Sequence, residues 1–187
     1  MGILDTKVAV ITGGTRGLGL AIAMAYAREG ASVVIASRSS KSVEAAVQQL
    51  KDVGAKAAGI AIDVSDLAQV EDLANYAVSQ FGRIDVWVNN AGTAGPYGAT
   101  LGYTPEAFRQ VLDTNITGVY NGSRTAMQVF LKQGSGKLTT SSGMATIVRW
   151  PGKMLMHPAK PGDVPLQKAW QMRPKTAVLE YSPSIRG

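Results

Sequence analysis

The sequence predicts an α/β domain built on a doubly wound parallel sheet, and two observations lead to this class. Short β-branched apolar runs alternate with segments whose apolar residues recur at helical spacing through the first 142 residues. A glycine-rich stretch joins the first run to the first helical segment. Alternating elements of this length form parallel strands joined by right-handed helical crossovers. We therefore expect helices on both faces of one sheet.

Five runs have the composition of strands that are buried on both faces of a sheet. They span residues 7–12, 32–37, 57–64, 84–90 and 136–142. Helical periodicity predicts helices within residues 18–25, 43–53, 70–81, 104–112 and 117–133. Gly30, Gly54 and Gly82 stand where C-terminal caps belong, and Thr104 followed by Pro105 is typical of a helix start.

Composition excludes several classes of protein. The chain has 187 residues, of which 45 % are apolar and 17 % charged, and this is typical of one globular domain with a substantial core. There is no cysteine and His157 is the only histidine, so disulfide frameworks and cysteine or histidine metal clusters are excluded. No apolar run reaches membrane-spanning length. These features predict a cytoplasmic protein without a membrane partner.

Charge is distributed unevenly along the chain. Residues 1–115 contain nine Lys and Arg against eleven Asp and Glu, whereas residues 116–187 contain ten against two. A basic half can indicate a nucleic-acid partner. Here, six of the eight prolines follow residue 150 and interrupt the basic residues, so these residues do not form a helix face. The pattern argues against a nucleic-acid partner, and the composition changes abruptly near Gly143.

The stretch TGGTRGLG, at 12–19, lies between the first predicted strand and the first predicted helix. Its glycines permit a tight turn and a close approach of the backbone to a phosphate pair, and the helix N-terminus adds free N–H groups and a positive dipole end. The strand–turn–helix context distinguishes this stretch from a glycine-rich turn without a ligand. We predict that a dinucleotide binds at Gly13, Thr15, Arg16, Gly17, Leu18 and Gly19.

The end of the second strand predicts which dinucleotide binds. A fold of this type that prefers NAD has an acidic residue there, which holds the ribose 2′-hydroxyl. This chain has Ser37, Arg38 and Ser39 instead. The Arg38 guanidinium can bind a 2′-phosphate through two hydrogen bonds, and Arg16 can reach the same region. These residues favour NADP(H) over NAD(H).

Five motifs, in the same order over residues 6–142, resemble those of the classical short-chain dehydrogenase/reductase family, whose fold is Rossmann-like. TGGTRGLG resembles the family's T-G-x-x-x-G-x-G, and the NNAG that ends the fourth strand resembles its N-N-A-G. Asp63 with Val64, Asn115 and Ser142 match the remaining motifs. The resemblance implies that Asp63 and Val64 hold the adenine. It also implies that the cofactor is lined by Asn90, Ala91 and Gly92.

The chemistry that this resemblance implies is hydride transfer between a nicotinamide and a carbonyl or alcohol carbon. Ser142 would hydrogen-bond the substrate oxygen, with Ser141 as the alternative, and Asn115 would position a water in a proton relay. A tyrosine would exchange the proton, and a lysine one helical turn later would hold the ribose and lower the pKa of the phenol. Because members of the family often form homodimers or homotetramers, we expect self-association.

The chain departs from the family after residue 142. Lys160 and Lys168 can each occupy the lysine position, but the tyrosine position then holds Met156 or Val164. Tyr181 is the only tyrosine beyond residue 142, and it belongs to a later stretch. The catalytic lysine is therefore Lys160 or Lys168, and the proton donor is not identified.

Three hypotheses remain open. The first, which we favour, is an NADP(H)-dependent oxidoreductase that interconverts a carbonyl and an alcohol. Residues 1–187 then form a single dinucleotide-binding domain in which 143–187 are divergent or unreliable sequence, and the sheet is incomplete at its C-terminal end, without the family's sixth and seventh strands. The second is a non-catalytic dinucleotide-binding relative that lacks the active-site tyrosine. The third is a basic-tailed module that binds nucleic acid or a partner protein.

Overall fold

The computed structural model describes residues 2–95 and 102–141, together with short strands at 146–148, 155–157 and 179–180. In chain order, the strands of the main sheet are β1 (Val8–Thr12), β2 (Ser32–Ser37), β3 (Ala57–Ala61), β4 (Val86–Asn89), β5 (Lys137–Thr140) and β8 (Leu179–Glu180). Two further strands, β6 (Thr146–Val148) and β7 (Leu155–His157), form a separate antiparallel pair.

The main sheet has the strand order β3-β2-β1-β4-β5-β8, and β1 to β5 are parallel. The chain winds outwards from β1 to β3, then returns past β1 to form β4 and β5. The direction of winding therefore reverses between β1 and β4, and proteins of this type bind ligands beside such a reversal, at the carboxyl ends of the strands. The predicted doubly wound parallel sheet is confirmed for these five strands.

Helices cover both faces of this sheet. They are α1 (Gly17–Arg28), α2 (Ser40–Asp52), α3 (Leu67–Phe81), α4 (Pro105–Leu112) and α5 (Gly118–Gln133). The predicted cap at Gly82 is confirmed, because this residue ends α3 with a φ of 81°, in the left-handed region that favours glycine. The predicted start of α4 is also confirmed, because the Thr104 side chain accepts a hydrogen bond from the Ala107 N–H.

Successive residues of β1 belong to two different cores, one on each face of the sheet. Val10 lies in a buried cluster with Trp87 and Phe130, beneath α3 and α5. Ile11 lies in a second cluster with Leu50, beneath α1 and α2. All five residues of β1 are buried, as its uninterrupted apolar composition predicts for a central parallel strand.

Three features differ from the sequence-based expectation. Strand β3 ends at Ala61 rather than at residue 64 because Asp63 turns the chain: its carboxylate accepts hydrogen bonds from the backbone N–H and hydroxyl of Ser65. A π-helical segment, Asp113–Thr117, joins α4 to α5, and the Gly118 N–H donates to the Asp113 carbonyl across it. Finally, the sheet has a sixth strand, because the outer edge of β5 pairs with β8, antiparallel to it.

Candidate functional site at the carboxyl edge of the sheet

A cleft of about 630 Å³ opens beside the carboxyl ends of the parallel strands. All fourteen residues that the sequence predicts to bind a dinucleotide line it: Gly13, Thr15, Arg16, Gly17, Leu18, Gly19, Ser37, Arg38, Ser39, Asp63, Val64, Asn90, Ala91 and Gly92. Four further residues also line the cleft, and the sequence did not identify them as site residues. They are Ser42, Ile62, Thr93 and Thr114. The structure therefore brings segments from four separate strand ends to one concave surface.

The glycine-rich loop presents bare backbone to the cleft. Gly13 has a φ of 65°, and its N–H donates to the Ala36 carbonyl at 2.7 Å. A Cβ at this position would lie only 2.8 Å from the Ala91 Cα. A Cβ on Gly19 would strike the Gly13 carbonyl and the Asn90 side chain. The loop can lie this close to the end of β4 only because positions 13 and 19 are glycines.

Thr12 and Asn90 connect that loop to the end of β4. The buried Thr12 hydroxyl accepts the N–H groups of Asn90 and Ala91, both at 3.1 Å, and donates to the Val88 carbonyl at 3.4 Å. In return, Asn90 Nδ2 donates to the carbonyls of Thr12 and Gly13, each at 3.1 Å. These bonds join the two strands between which the winding reverses, and they shape the floor of the cleft.

Helix termini and cations give the cleft a positive character. Helix α1 begins at Gly17 in the cleft, with the exposed Arg16 before it in extended conformation, and neither α1 nor α2 has an acidic residue in its first turn. Arg16 and Arg38 line the cleft, and Asp63 is the only acidic residue among the described residues that line it. Unpaired helix N–H groups and guanidinium groups favour a phosphate-bearing ligand.

Ser39 caps the start of α2, and its hydroxyl acts as a hydrogen-bond acceptor there. Its Oγ accepts the Ser42 N–H at 3.3 Å and the Ser42 hydroxyl at 3.1 Å. A hydroxyl has two acceptor sites and one hydrogen, so Ser39 has only its hydrogen left for a ligand. Ser39 and Arg38 therefore offer donors at the end of β2. The spacing of Ser39 and Ser42 along one helical turn is a sequence signal that could have identified Ser42.

The two residues expected to hold the adenine lie in the turn between β3 and α3. Asp63 Oδ1 accepts from the Ser65 N–H at 2.9 Å and the Ser65 hydroxyl at 2.7 Å. Asn121, from α5, donates to the carbonyls of Val64 and Ser65 at 3.0 and 3.1 Å. The turn is therefore tied both to itself and to the helix behind it.

Asn115 lies in the π-helical segment, and its side-chain amide pairs with the backbone of Thr93. Asn115 Oδ1 accepts the Thr93 N–H, and Asn115 Nδ2 donates to the Thr93 carbonyl, both at 2.8 Å. Asn115 does not line the cleft, whereas Thr93 does. The amide thus fixes the chain that leaves β4, which is a different contact from the water-holding role that the resemblance implies for this residue.

The remaining predicted catalytic residues, Ser142, Lys160 and Lys168, lie outside the described residues. Ser141 is described, and its hydroxyl donates to Asn90 Oδ1 at 2.8 Å. The backbone at Met156 belongs to strand β7, so position 156 is not helical. Among the described residues, no helix is long and apolar enough to cross a membrane, and no cluster of three acidic or histidine side chains could hold a metal ion.

Comparison with known proteins agrees with this fold. A family model for short chain dehydrogenases matches residues 7–175, so the chain belongs to the short chain dehydrogenase family. Over 151 residues it is 36 % identical to a 3alpha-hydroxysteroid dehydrogenase of Mediterraneibacter gnavus. That alignment covers 80 % of this chain but only 60 % of the relative.

Two solved structures of relatives each superpose on three quarters of this chain. A variant of actinorhodin polyketide ketoreductase with NADPH gives a TM-score of 0.69 at 33 % identity, over 75 % of this chain and 54 % of that one. A short chain dehydrogenase/reductase from Burkholderia phymatum in complex with NAD gives a TM-score of 0.70 at 33 % identity, over 75 % of this chain and 50 % of that one. The chain thus spans about half the length of these relatives.

Proposed function

We propose that this protein is an NADP(H)-dependent oxidoreductase that interconverts a carbonyl and an alcohol by hydride transfer. One observation carries the proposal: a single cleft at the winding reversal is lined by all the predicted dinucleotide residues, among them Arg38 where an NAD-preferring fold has an acid. The names of the relatives, a hydroxysteroid dehydrogenase and a polyketide ketoreductase, support the same reaction class.

The groups that line the cleft fit a dinucleotide. Gly13 and Gly19 leave room for backbone approach, and the start of α1 offers N–H groups to a pyrophosphate. Asp63 and Val64 would hold the adenine, and the Asn115 amide would keep Thr93 in place beside the reacting end of the cleft. When bound, a nicotinamide cofactor supplies the hydride donor or acceptor. Ser142 would hold the substrate oxygen, and Lys160 or Lys168 would bind the ribose.

The cofactor preference is proposed from Arg38 and Ser39. Both are exposed residues that line the cleft, and the described residues form no ion pair with Arg38. An acceptor-only phosphate matches the guanidinium and the remaining hydrogen of Ser39, whereas a ribose hydroxyl does not need a cation. The protein that binds NADPH and the one that binds NAD are equally similar to this chain, so they do not decide the preference.

Calorimetric titration of the full chain with NADPH and with NADH tests this proposal. We expect NADPH to bind more tightly. Arg38→Ala should lower NADPH affinity by about tenfold to a hundredfold, the loss of one charged hydrogen-bonding partner, and leave NADH affinity unchanged. Arg28→Ala, at the exposed far end of α1, is the matched control and should change neither. If neither nucleotide binds to folded protein, the proposal is wrong.

One observation favours the alternative of a dinucleotide-binding relative without catalysis. No tyrosine lies between residue 142 and Tyr181, and a methionine or valine in the tyrosine position cannot exchange a proton. A panel of ketones with NADPH separates the two. Turnover supports the oxidoreductase, whereas tight NADPH binding without turnover supports the alternative.

We also propose that the protein is cytoplasmic and assembles as a homodimer or homotetramer. The feature that supports assembly is an exposed apolar stripe along α4, the π-helical segment and α5. It is formed by Phe108, Leu112, Ile116 and Tyr120. Contiguous exposed apolar side chains of this kind mark association surfaces. Sedimentation velocity tests the assembly, and a monomer at micromolar concentration would contradict it.

A further inference from the structure

Ser141, the residue after β5, contacts the wall of the cleft without lining it. Its Oγ donates to Asn90 Oδ1 at 2.8 Å and lies 3.4 Å from the Asn89 carbonyl oxygen. Its backbone N–H donates to that same carbonyl at 2.9 Å. The side chain is half-buried, so these bonds are partly shielded from water and hold the end of β5 against the end of β4.

Asn90 carries this contact on to the glycine-rich loop. Asn90 Nδ2 donates to two carbonyls, of Thr12 and Gly13, and its nitrogen would be struck by a Cβ on Gly19. Those two carbonyls determine which way the amide faces, because the reversed amide would place its oxygen against two acceptors. The amide oxygen then faces β5, where Ser141 supplies its donor.

We propose that Ser141 is a positioning residue of the nucleotide site. By holding the amide oxygen of Asn90, its hydroxyl fixes the Asn90 nitrogen against Gly13 and so sets the position of the loop that binds the pyrophosphate. This inference rests on the proposed function. It also argues against the other role considered for Ser141, which is to hydrogen-bond the substrate oxygen. A hydroxyl has one hydrogen, and Ser141 gives it to Asn90, so none remains for a substrate oxygen.

The matched pair Ser141→Thr and Ser141→Val tests the proposal, because the two side chains share a shape and differ only in the hydroxyl. NADPH and NADH affinities of the full chain are measured by calorimetry at a temperature where each variant is folded. The valine variant should bind both nucleotides about threefold to tenfold more weakly than the threonine variant, as expected for one lost hydrogen bond. The loss should be equal for the two nucleotides because both have the same pyrophosphate.

One control variant and one substitute variant separate this effect from others. Ser79→Ala removes an exposed serine hydroxyl that donates to the Tyr76 carbonyl on α3, and it should leave both affinities unchanged. Ser141→Ala replaces the valine variant if the latter does not fold. A merely structural role would lower the melting temperature of the unliganded protein without separating threonine from valine in nucleotide affinity.

The outcomes distinguish this inference from the proposed function. Wild-type protein that binds neither nucleotide overturns both. Wild-type protein that binds, with equal affinities in the threonine variant and the variant without a hydroxyl, overturns the positioning role alone. A loss confined to NADPH also overturns it, because that pattern belongs to groups near the 2′-phosphate rather than to the pyrophosphate loop.

Discussion

The two ends of the parallel sheet differ in how their charged groups and hydrogen-bond donors are paired. At the carboxyl end, backbone turns, helix N-termini and two arginines face an open cleft. At the amino end, a single carboxylate is surrounded by donors. Asp85 accepts the Val8 N–H at 3.0 Å and two bonds from the Arg83 guanidinium at 2.9 and 2.7 Å, and Lys7 Nζ lies 3.5 Å away.

Side-chain amides show the same contrast. At the amino end, the Gln133 amide accepts the Ile84 N–H at 3.0 Å and donates to the Ile84 carbonyl at 2.7 Å. At the carboxyl end, Asn115 makes the equivalent two bonds with Thr93, which lines the cleft. The Gln133 amide attaches the end of α5 to the sheet, and the Asn115 amide fixes the Thr93 backbone that lines the cleft. The contacts at the amino end hold elements together, whereas those at the carboxyl end shape an open cleft.

The largest effect that tests this comparison is expected at Gly13. Gly13→Ala adds a Cβ 2.8 Å from the Ala91 Cα, on a residue with a φ of 65°. Overpacking of this kind costs about 1–3 kcal/mol, and we expect the loop to relieve it by moving away from β4. Because binding then has to return the loop to its position, NADPH affinity should fall by up to about a hundredfold. The measurement is a calorimetric titration of the folded variant.

Gly54→Ala is the control for that substitution. Gly54 also has a positive φ, of 83°, but nothing lies within 4 Å of the position of its Cβ. The control also places an alanine at a positive φ but lacks the contact at the cleft, so it should keep wild-type affinity. Equal affinities in the two variants would show that the close approach of the loop to β4 does not matter for binding.

The second effect is expected at the amino end and concerns stability. Asp85→Ala removes a carboxylate whose side chain is only 10 % exposed and leaves the Val8 N–H and the Arg83 guanidinium without their acceptor. Hydrogen bonds to a charged group contribute about 1.5–3 kcal/mol, so we expect the free energy of unfolding to fall by about 2 kcal/mol. Urea denaturation measures it.

Nucleotide affinity should be unchanged in the Asp85 variant because the cleft is at the other end of the sheet. Asp52→Ala, which removes an exposed acceptor of the Gln48 amide on α2, is the surface control and should change neither quantity. If Asp85→Ala weakens nucleotide binding at a temperature where it is folded, the two ends are coupled and the comparison fails.

The sequence predicts the strands and the cleft-lining segments, but it does not predict the side-chain pairings at either end of the sheet. The loop at 12–19 and the strand runs are local patterns, and they were sufficient to select residues that line the cleft. The pairings of Asn115 with Thr93 and of Gln133 with Ile84 join residues 22 and 49 positions apart. No local pattern specifies such pairings, since they depend on which backbone groups the tertiary fold leaves unpaired. The same holds for Ser141 and Asn90.

The smallest effect concerns Asp66, which caps α3 directly after the turn of Asp63 and Val64 that lines the cleft. Its carboxylate accepts hydrogen bonds from the side chain and backbone N–H of Gln69 and from the Ala68 N–H, and these bonds lower the pKa of Asp66. The stabilisation is therefore present above the unfolded-state pKa of about 4 and is lost as the pH falls through the lower folded-state pKa.

Asp66→Asn retains a capping oxygen without a titrating group, so it is the variant that isolates this charge. Melting temperatures of wild-type and variant protein, compared from neutral pH to about pH 2, should converge in acid as the wild-type carboxylate is protonated. Nucleotide affinity at neutral pH should not change, since Asp66 is not among the residues that line the cleft. A constant difference in melting temperature at every pH would show that the charge of Asp66 contributes nothing. A loss of nucleotide affinity would show that Asp66 contributes to the nucleotide site, and that it is not the structural counterpart of Asp85.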